Sequence, residues 1–337
     1  MHGNVLELAM DISRITGEKI AGLEQIMLKT KMLSINARLE AARAGEIGQS
    51  FSVVAREMGT VADEVNAMSA ELNRAMNDNA ARIEQAGREM MLGMRGSRLA
   101  DIARNTVEII DRNLYERSCD VRWWATDSAV VDAVESPAIE AARHASSRLA
   151  TILRSYTVYL DLWIADATGR IVATGRPERY PGLTGRDVSR EDWFREGIQT
   201  ADGDAFTVCD VAQNPALGGA DVAAYATAIR VGGEPNGRAL GVLGIFFDWR
   251  PQAQAIVTGV SLSDEERAAS RVMLLDARHK VIASSDGRTG DTFALKAEAA
   301  WGHYAEGRKL VAYGLTPGYE TYQGLGWYGC IETSAAL

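Results

Sequence analysis

Cysteine and proline are scarce in this sequence of 337 residues. The three cysteines, Cys119, Cys209 and Cys330, are far apart and form no CxxC motif, so we expect neither a disulfide framework nor a thiolate metal site. None of the seven prolines lies within residues 1–95. The first 95 residues are therefore free to form long uninterrupted helices.

Long apolar runs and an excess of basic residues are also missing. The best apolar run, GVLGIFF at 241–247, has only the length of a strand, so no membrane span is expected. The opening residues Met1-His2-Gly3-Asn4 lack the basic start of a signal peptide. A net charge of −9 argues against nucleic-acid binding. We expect a soluble cytoplasmic protein.

The first 95 residues carry apolar side chains three and four positions apart, broken once near Gly45 and Gly48. This period of about 3.5 is typical of supercoiled helices, and two arms with one break predict an antiparallel helical hairpin. Such a thin hairpin cannot bury a full core alone, so we expect a homodimer with a four-helix bundle. The seam comprises Val5, Ala9, Ile12, Thr16, Leu23, Ile26, Thr30, Leu33 and Ala37 in the first arm, and Phe51, Val54, Met58, Val61, Val65, Met68, Leu72 and Ala75 in the second.

Two further helices are expected before residue 156. The seam becomes irregular at Gly93–Gly96, so we predict a break there and a separate helix over 97–127. Within it, Trp123 and Trp124 are expected to dock the helix onto a sheet or a dimer mate. Ser136-Pro137 predicts the start of another helix, because serine caps helices well and proline is tolerated at the first position.

After Tyr156 the apolar period changes from 3.5 to 2, which is typical of strands. The hairpin sequence YLDLWIADATGRIVATG (159–175) has a counterpart in RVMLLDARHKVIASSDG (271–287), 110 residues later. Each is followed by a predicted helical patch, at 189–198 and 293–302, and then by more strands. We therefore predict an internal duplication of two antiparallel sheet modules and an α+β fold.

The hairpin end resembles the tip of methyl-accepting chemotaxis receptors. The resemblance covers LKTKMLSINARLEAARAGEIGQSFSVVAREMGTVADEV (28–65), above all Glu40-Ala-Ala-Arg-Ala-Gly-Glu46 followed by Phe51-x-Val-Val-Ala55. In that family the tip contacts the kinase CheA and the coupling protein CheW and packs dimers into trimers. The resemblance implies a partner-binding surface at Asn36, Leu39, Glu40, Arg43, Glu46 and Val54.

The tip departs from the family pattern at four positions. Lys31 replaces a usual Asn, Gln49-Ser50 replaces Arg-Gly, and Gly59 replaces Arg. The changes remove positive charge from the outgoing helix and add one on the incoming arm. No adjacent Glu/Gln pair set among small residues is found, so adaptation by methylation is not expected.

The remainder resembles a double Cache sensor, in which a long helix precedes two PAS-like modules. We assign residues 1–95 to the signalling hairpin and residues 96–337 to the sensor domain. The sensor would comprise helices over 97–156, a first module over 157–260 and a second over 261–333. This order reverses the usual one, in which the sensor precedes the transducer.

The resemblance implies that a small-molecule ligand binds in the first module, beside Trp193-Phe194. Amino-acid-binding members place an Arg two residues before this Trp and an Asp in the closing strand. Here those positions hold Glu191 and Phe246, so an α-amino acid is not expected. For Trp193, Asp210 and Tyr225, roles in core packing or a turn remain open. The candidate ligand contacts are Trp193, Phe194, Arg190, Asp210, Tyr225, Tyr159, Asp161 and Trp163.

No enzymatic constellation is present. The four histidines are isolated from other ligating residues, and no glycine loop has P-loop spacing, so neither a metal nor a cofactor is expected. The leading hypothesis is a soluble chemoreceptor-like transducer whose ligand signal reaches CheA/CheW through a helix. The alternative is a non-sensing dimeric adaptor or scaffold that binds chemotaxis-array proteins constitutively.

Overall fold

The computed structural model of the protein describes residues 2–136 and 138–335. The chain divides into two compact units, one up to Met94 and one from Arg95 onward. No helix within the described ranges is long and apolar enough to cross a membrane.

The first unit is a helical hairpin. Helix α1 (His2–Arg43) is followed by a single 3-10 turn (Gly45–Gly48) and by the start of helix α2 (Gln49–Trp124). The arms bury small side chains against each other, including Ala41, Ala55 and Ala62. The larger seam residues remain exposed on a single chain; they include Leu23, Ile26, Leu33, Val54, Val61, Met68 and Leu72. The hairpin is confirmed, and these apolar seam residues are uncovered in a single chain.

The predicted helix break at Gly93–Gly96 is wrong. Helix α2 continues through both glycines and ends at Trp124, so the expected separate helix over 97–127 is the last part of α2. Gly96 is explained by packing, because a Cβ there would lie 2.2 Å from Cδ2 of His303 in the second unit. Two glycines cost about 1 kcal/mol each in a helix, which a helix of 76 residues tolerates.

The expected helix start at Ser136 is also wrong. Ser136 is the C-cap of helix α3 (Ser128–Glu135), which had not been expected, and Asp127 caps its N-terminus by accepting the Ala129 N–H at 2.9 Å. Helix α4 (Ile139–Ser155) begins after Ala138. Pro137, the other half of the prediction, lies outside the described residues.

Two five-stranded antiparallel sheets complete the second unit. The first has the order β2-β1-β5-β4-β3 and the second the order β7-β6-β10-β9-β8, so corresponding strands occupy corresponding places. The predicted duplication and the α+β class are confirmed. The first sheet comprises β1 (Tyr159–Asp166), β2 (Ile171–Thr174), β3 (Thr207–Asn214), β4 (Ala220–Arg230) and β5 (Ala239–Asp248), with helix α5 (Asp192–Gly197) between β2 and β3.

The second sheet follows helices α6 (Trp249–Thr258) and α7 (Asp264–Ala269). Its strands are β6 (Ser270–Leu275), β7 (Val281–Ser284), β8 (Trp301–Glu306), β9 (Lys309–Leu315) and β10 (Tyr328–Ser334). Asp248 occupies the N-cap position of α6, but its side chain makes no capping hydrogen bond.

The opening hairpins of the two sheets share one turn. The Asp166 carboxylate accepts the N–H groups of Thr168 and Arg170, at 2.8 and 3.1 Å. The Asp276 carboxylate accepts those of Arg278 and Lys280 in the same way, at 2.8 and 2.9 Å. Such Asx turns fix the strand register locally, which explains why this turn recurs in both modules.

The predicted helical patch at 293–302 is wrong. Within it, Phe293, Leu295 and Ala297 alternate along a segment that is neither helix nor strand, and they pack on the core of the second sheet. Trp301 then opens the edge strand β8. The Ala, Glu and Lys residues there favour a helix, but burial of every second side chain overrides that weak preference.

A pair of glycines seats α2 on the second sheet. Gly314 of β9 and Gly329 of β10 are direct cross-strand partners. A Cβ on Gly314 would lie 2.6 Å from Cα of Arg104, and one on Gly329 would lie 2.1 Å from the Ala103 carbonyl oxygen. Glycine in a strand interior often marks such a close approach of another backbone.

Candidate functional site

The tip turn depends on its two glycines. The Ala44 N–H donates to the Glu40 carbonyl at 3.1 Å and closes α1, and Gly45 follows with a φ of +61°. A Cβ on Gly48 would lie 2.1 Å from the Ala41 carbonyl oxygen. Gly45 supplies a left-handed conformation and Gly48 lets the turn fold against α1, which accounts for both residues.

All six predicted partner-contact residues at the tip are exposed, and they lie on the end of α1, the turn and the start of α2. Arg43 donates to Glu40 at 2.7 Å. Two apolar residues omitted from that prediction, Ile47 and Phe51, are 89% and 73% exposed. The sequence signal was an apolar side chain within the polar turn for Ile47, and one in the first turn of α2 for Phe51. The six residues are Asn36, Leu39, Glu40, Arg43, Glu46 and Val54.

Two of the unusual tip residues lie where the arms meet. Lys31 on α1 donates to the Asp63 carboxylate on α2 at 2.5 Å. Gly59 faces Ser34, whose hydroxyl donates to the Ala55 carbonyl at 2.5 Å, and a Cβ at Gly59 would lie 2.8 Å from that hydroxyl. Gln49 and Ser50 are exposed. The added charge of Lys31 therefore has a partner within the hairpin.

In the first sheet module, Trp193 and Phe194 lie in a closed aromatic core. The Trp163 and Phe246 rings are 4.0 Å apart, and Trp193 meets them edge-on at 6.1 and 5.6 Å between centroids. All four side chains are at most 5% exposed. The Trp193 indole N–H donates to Glu191 at 2.7 Å. Glu191, which occupies the position where an arginine would hold an amino-acid ligand, thus orients Trp193.

Asp161 lies beneath this core and is fully buried. Its carboxylate accepts the backbone N–H groups of Leu162 and Gly175 at 2.9 and 3.0 Å, and the Trp163 indole N–H at 3.0 Å. Burial raises the pKa of Asp161 to about 6, although these hydrogen bonds oppose the rise. Asp161 joins the opening hairpin to the aromatic core.

Two other predicted ligand contacts face the opposite side of the sheet. The Tyr159 hydroxyl donates to Asp120 of α2 at 2.5 Å, and Arg117 donates to the same carboxylate at 3.1 Å. Tyr225 alternates with Ala224 and Ala226, which belong to the aromatic core, so its ring points away from that core. Trp124 packs edge-on against Tyr159, 5.5 Å between centroids, as expected of a docking residue.

The remaining two candidates, Arg190 and Asp210, are exposed. The structure therefore brings together Trp163, Trp193, Phe194 and Asp161 and separates them from Tyr159 and Tyr225. Ligand contact by any of these residues stays a prediction. No cluster of three or more potential metal ligands occurs in the described part of the chain.

A second carboxylate of α2, not anticipated from the sequence, holds the second module. Asp111 accepts the Thr316 hydroxyl and, at 2.9 Å, the Gly318 N–H. Burial raises the pKa of Asp111, and burial likewise raises that of Asp120. Helix α2 thus contacts each sheet through one buried carboxylate, Asp120 for the first and Asp111 for the second.

Similarity to known protein families identifies the helical hairpin. The family model described as methyl-accepting chemotaxis protein (MCP) signalling domain matches residues 3–118. Residues 3–118 are an MCP signalling domain. Methyl-accepting chemotaxis protein I of Escherichia coli is 30% identical over 112 residues, which are 32% of this chain and 20% of that protein. Transducer protein Htr18 of Halobacterium salinarum is 35% identical over 95 residues, 28% of this chain and 12% of that protein.

The matched part of this chain spans at most a fifth of the length of these two relatives. The signalling domain is therefore what this chain shares with much longer proteins. The predicted resemblance is confirmed. The matched domain is the signalling domain of chemotaxis transducers.

The second unit has the fold of double Cache sensor domains. The sensory domain of the Campylobacter jejuni chemoreceptor Tlp3 (CcmL) aligns with a TM-score of 0.53 and 15% identity, over 73% of this chain and 94% of that one. The sensor domain of the Vibrio cholerae histidine kinase DctB aligns with a TM-score of 0.51 and 14% identity, over 73% and 98%. Identities this low establish the fold alone.

Proposed function

We propose that the protein is a chemoreceptor-like signal transducer. A small molecule bound in the first sheet module would shift the packing of α2, and the hairpin tip would pass that change to CheA and CheW. The MCP signalling domain at residues 3–118 carries this proposal. We further propose a cytoplasmic location, which three free cysteines support and which the proposed kinase partner requires.

The contacts of α2 support a route for the signal. Tyr159 of the first sheet donates to Asp120 of α2, and Asp120 in turn accepts from Arg117. If the sheet rearranged, either the hydrogen bond between Tyr159 and Asp120 would break or α2 would move with the sheet. The second outcome is favoured, because an unpaired buried carboxylate is costly. Two packings of α2 that differ by a few kcal/mol suffice for a switch.

The output form would be a homodimer. Large seam residues of the hairpin, such as Leu23 and Met68, are 43% and 67% exposed on a single chain. A groove between the arms, lined by Leu23, Val65, Met68 and Leu72, is open. A second copy that covers this face would complete the predicted four-helix bundle, with apolar burial as the driving force.

The closed aromatic core favours a second candidate function. Trp163, Trp193 and Phe246 fill the face of the sheet where a ligand was expected. A first module without a ligand would leave a dimeric adaptor that binds chemotaxis-array proteins constitutively. A ligand-binding experiment distinguishes the sensing transducer from the adaptor, whereas the tip would bind partners in both.

A pull-down with CheW tests the tip. Glu46 is exposed in the tip turn, so Glu46→Lys should abolish CheW capture by reversing one charge of the contact surface. Glu64→Lys, an exposed site farther along α2, is the matched control and should bind as the wild type does. If the wild type captures no more CheW than Glu46→Lys, the coupling claim fails.

A further inference from the structure

A pocket of about 320 Å³ lies where α2 ends against the first module. Its volume is at the lower end of the range for small-molecule sites. It shares no residue with the aromatic core, although strand β4 contributes different residues to both. We call it the α2-end pocket. Its walls comprise Cys119, Arg122, Trp123, Ala125 and Thr126 of α2 and its end, Gly203 and Asp204, Thr227, Ala228 and Arg230 of β4, and Gly233, Glu234 and Pro235.

Arg122 presents weakly used donors to this pocket. Its Nε donates to the Ser118 carbonyl at 2.9 Å, and the guanidinium lies 5.6 Å over the Phe206 ring. The two terminal nitrogens make only long contacts, 3.4 Å to the Asp204 carbonyl and 3.5 Å to the Cys119 sulfur. The contact to the oxygen is near the limit for a hydrogen bond, and a thiol sulfur is a weak acceptor, so both N–H groups can take a better acceptor.

Arg230 adds a fixed positive charge to the same wall. It is 8% exposed, and its terminal nitrogens donate to the carbonyls of Gly237, at 2.8 Å, and Thr200. Its buried Nε has no hydrogen-bond partner. Neither Arg122 nor Arg230 forms an ion pair with a carboxylate of the described residues. A buried guanidinium without a counter-charge is costly, so a bound anion would relieve it.

The rest of the pocket selects the form of the anion. Trp123 is 69% exposed and offers the pocket a flat apolar surface. Asp204 and Glu234 also line the pocket and are exposed. Negative charge is therefore favoured at the two arginines and disfavoured near the two carboxylates, which suits a ligand with one anionic end.

We propose that the α2-end pocket binds a small monocarboxylate with a flat apolar body. The carboxylate would accept two N–H groups of Arg122 in the charge field of Arg230, since guanidinium groups match carboxylates in a bidentate manner. The body would lie against Trp123. Because Arg122 and Trp123 belong to the last turn of α2, this ligand would act directly on the signalling helix.

The proposal deepens the proposed function by naming a ligand class, but its test needs neither CheA nor CheW. Cys119 lines the pocket and is half-buried, so the rate of its alkylation by iodoacetamide reports occupancy. Cys209 on β3, also half-buried, is the internal control. The probe is benzoate, and benzamide is the uncharged comparison of nearly the same shape.

In the full-length wild type, benzoate should slow alkylation of Cys119 but not of Cys209. The expected slowing is about fivefold when benzoate is at about four times its Kd. Benzamide should give no protection. Equal protection by both compounds, or protection by neither, overturns the proposal without recourse to any variant.

Variants then locate the anion. Arg122→Gln should abolish benzoate protection, whereas Arg143→Gln, an exposed arginine of α4, should keep it. Arg122→Lys, which keeps the charge but not the bidentate fork, should retain part of it. Benzoate protection in Arg122→Gln equal to that in the wild type contradicts the assignment. If the wild type fails to capture CheW while benzoate still protects its Cys119, only the proposed function is overturned.

Discussion

At the scale of single residues, buried carboxylates in the second unit connect its elements through hydrogen bonds. Asp111 and Asp120 fix α2 to the two sheets, and Asp161 fixes the opening hairpin to the aromatic core. Each is satisfied by hydrogen bonds, yet burial raises the pKa of all three. Their protonated forms are therefore more favourable in the folded chain than in the unfolded chain.

Asp161 predicts a pH dependence of stability. Its folded pKa of about 6 lies above the ordinary value of 3.8, so its contribution to stability is complete below pH 3.8 and is lost as the pH rises through 6. Between pH 4.5 and pH 7 the free energy of unfolding should fall by about 2 kcal/mol from this group. Urea unfolding of the wild type and Asp161→Asn at both pH values measures it.

The difference between the two proteins isolates Asp161 from other titrating groups. Asp161→Asn should show a smaller loss of stability over this interval than the wild type. Asp101→Asn, which changes an exposed carboxylate of α2, should follow the wild type. Parallel curves for Asp161→Asn and the wild type would show that Asp161 does not titrate in this range.

At the scale of elements, the tip turn is the most constrained segment of the hairpin. Gly45 has a positive φ, and Gly48 lies so close to the Ala41 carbonyl that no side chain fits. The turn thus sets the register in which α2 packs on α1. Small buried residues such as Ala55 and Ala62 depend on that register.

Gly48→Ala should destabilise the hairpin. The added Cβ would meet backbone, which cannot move aside, so we expect a loss of about 2 kcal/mol. Gly22→Ala on α1 is the matched control: a Cβ there meets nothing within 4 Å, and the change should stabilise the helix by about 1 kcal/mol. Thermal unfolding followed by circular dichroism at 222 nm measures both changes in stability, the expected loss for Gly48→Ala and the expected gain for Gly22→Ala. A neutral Gly48→Ala would contradict the close packing of the turn.

Sequence periodicity identified the hairpin, both sheets and their duplication, because these elements repeat a local pattern. It failed where long-range contacts decide. Gly96 suggested a break, but its role is the approach to His303, and the helical pattern of 293–302 is overridden by burial of Phe293 and Leu295. The candidate site shows the same limit. Alternation alone could not tell that Tyr159 and Trp163 face opposite sides, because a register shift between Tyr159 and Asp161 lies at that point.

At the scale of the whole molecule, one chain combines an MCP signalling domain with a unit of double Cache fold. Helix α2 is common to both, since it runs from the tip turn to the α2-end pocket. The proposed transducer needs no further element to link its two activities. The exposed apolar seam of the hairpin adds the expectation of a second copy.

The rate of CheA autophosphorylation in the presence of CheW tests this account most directly. The wild-type chain should change the rate several-fold relative to kinase and CheW alone, because the tip would hold both partners in one complex. Glu46→Lys should return the rate to that background, and Glu64→Lys should act as the wild type. A rate that is the same with and without the wild-type chain would contradict the claim that this protein signals through its tip.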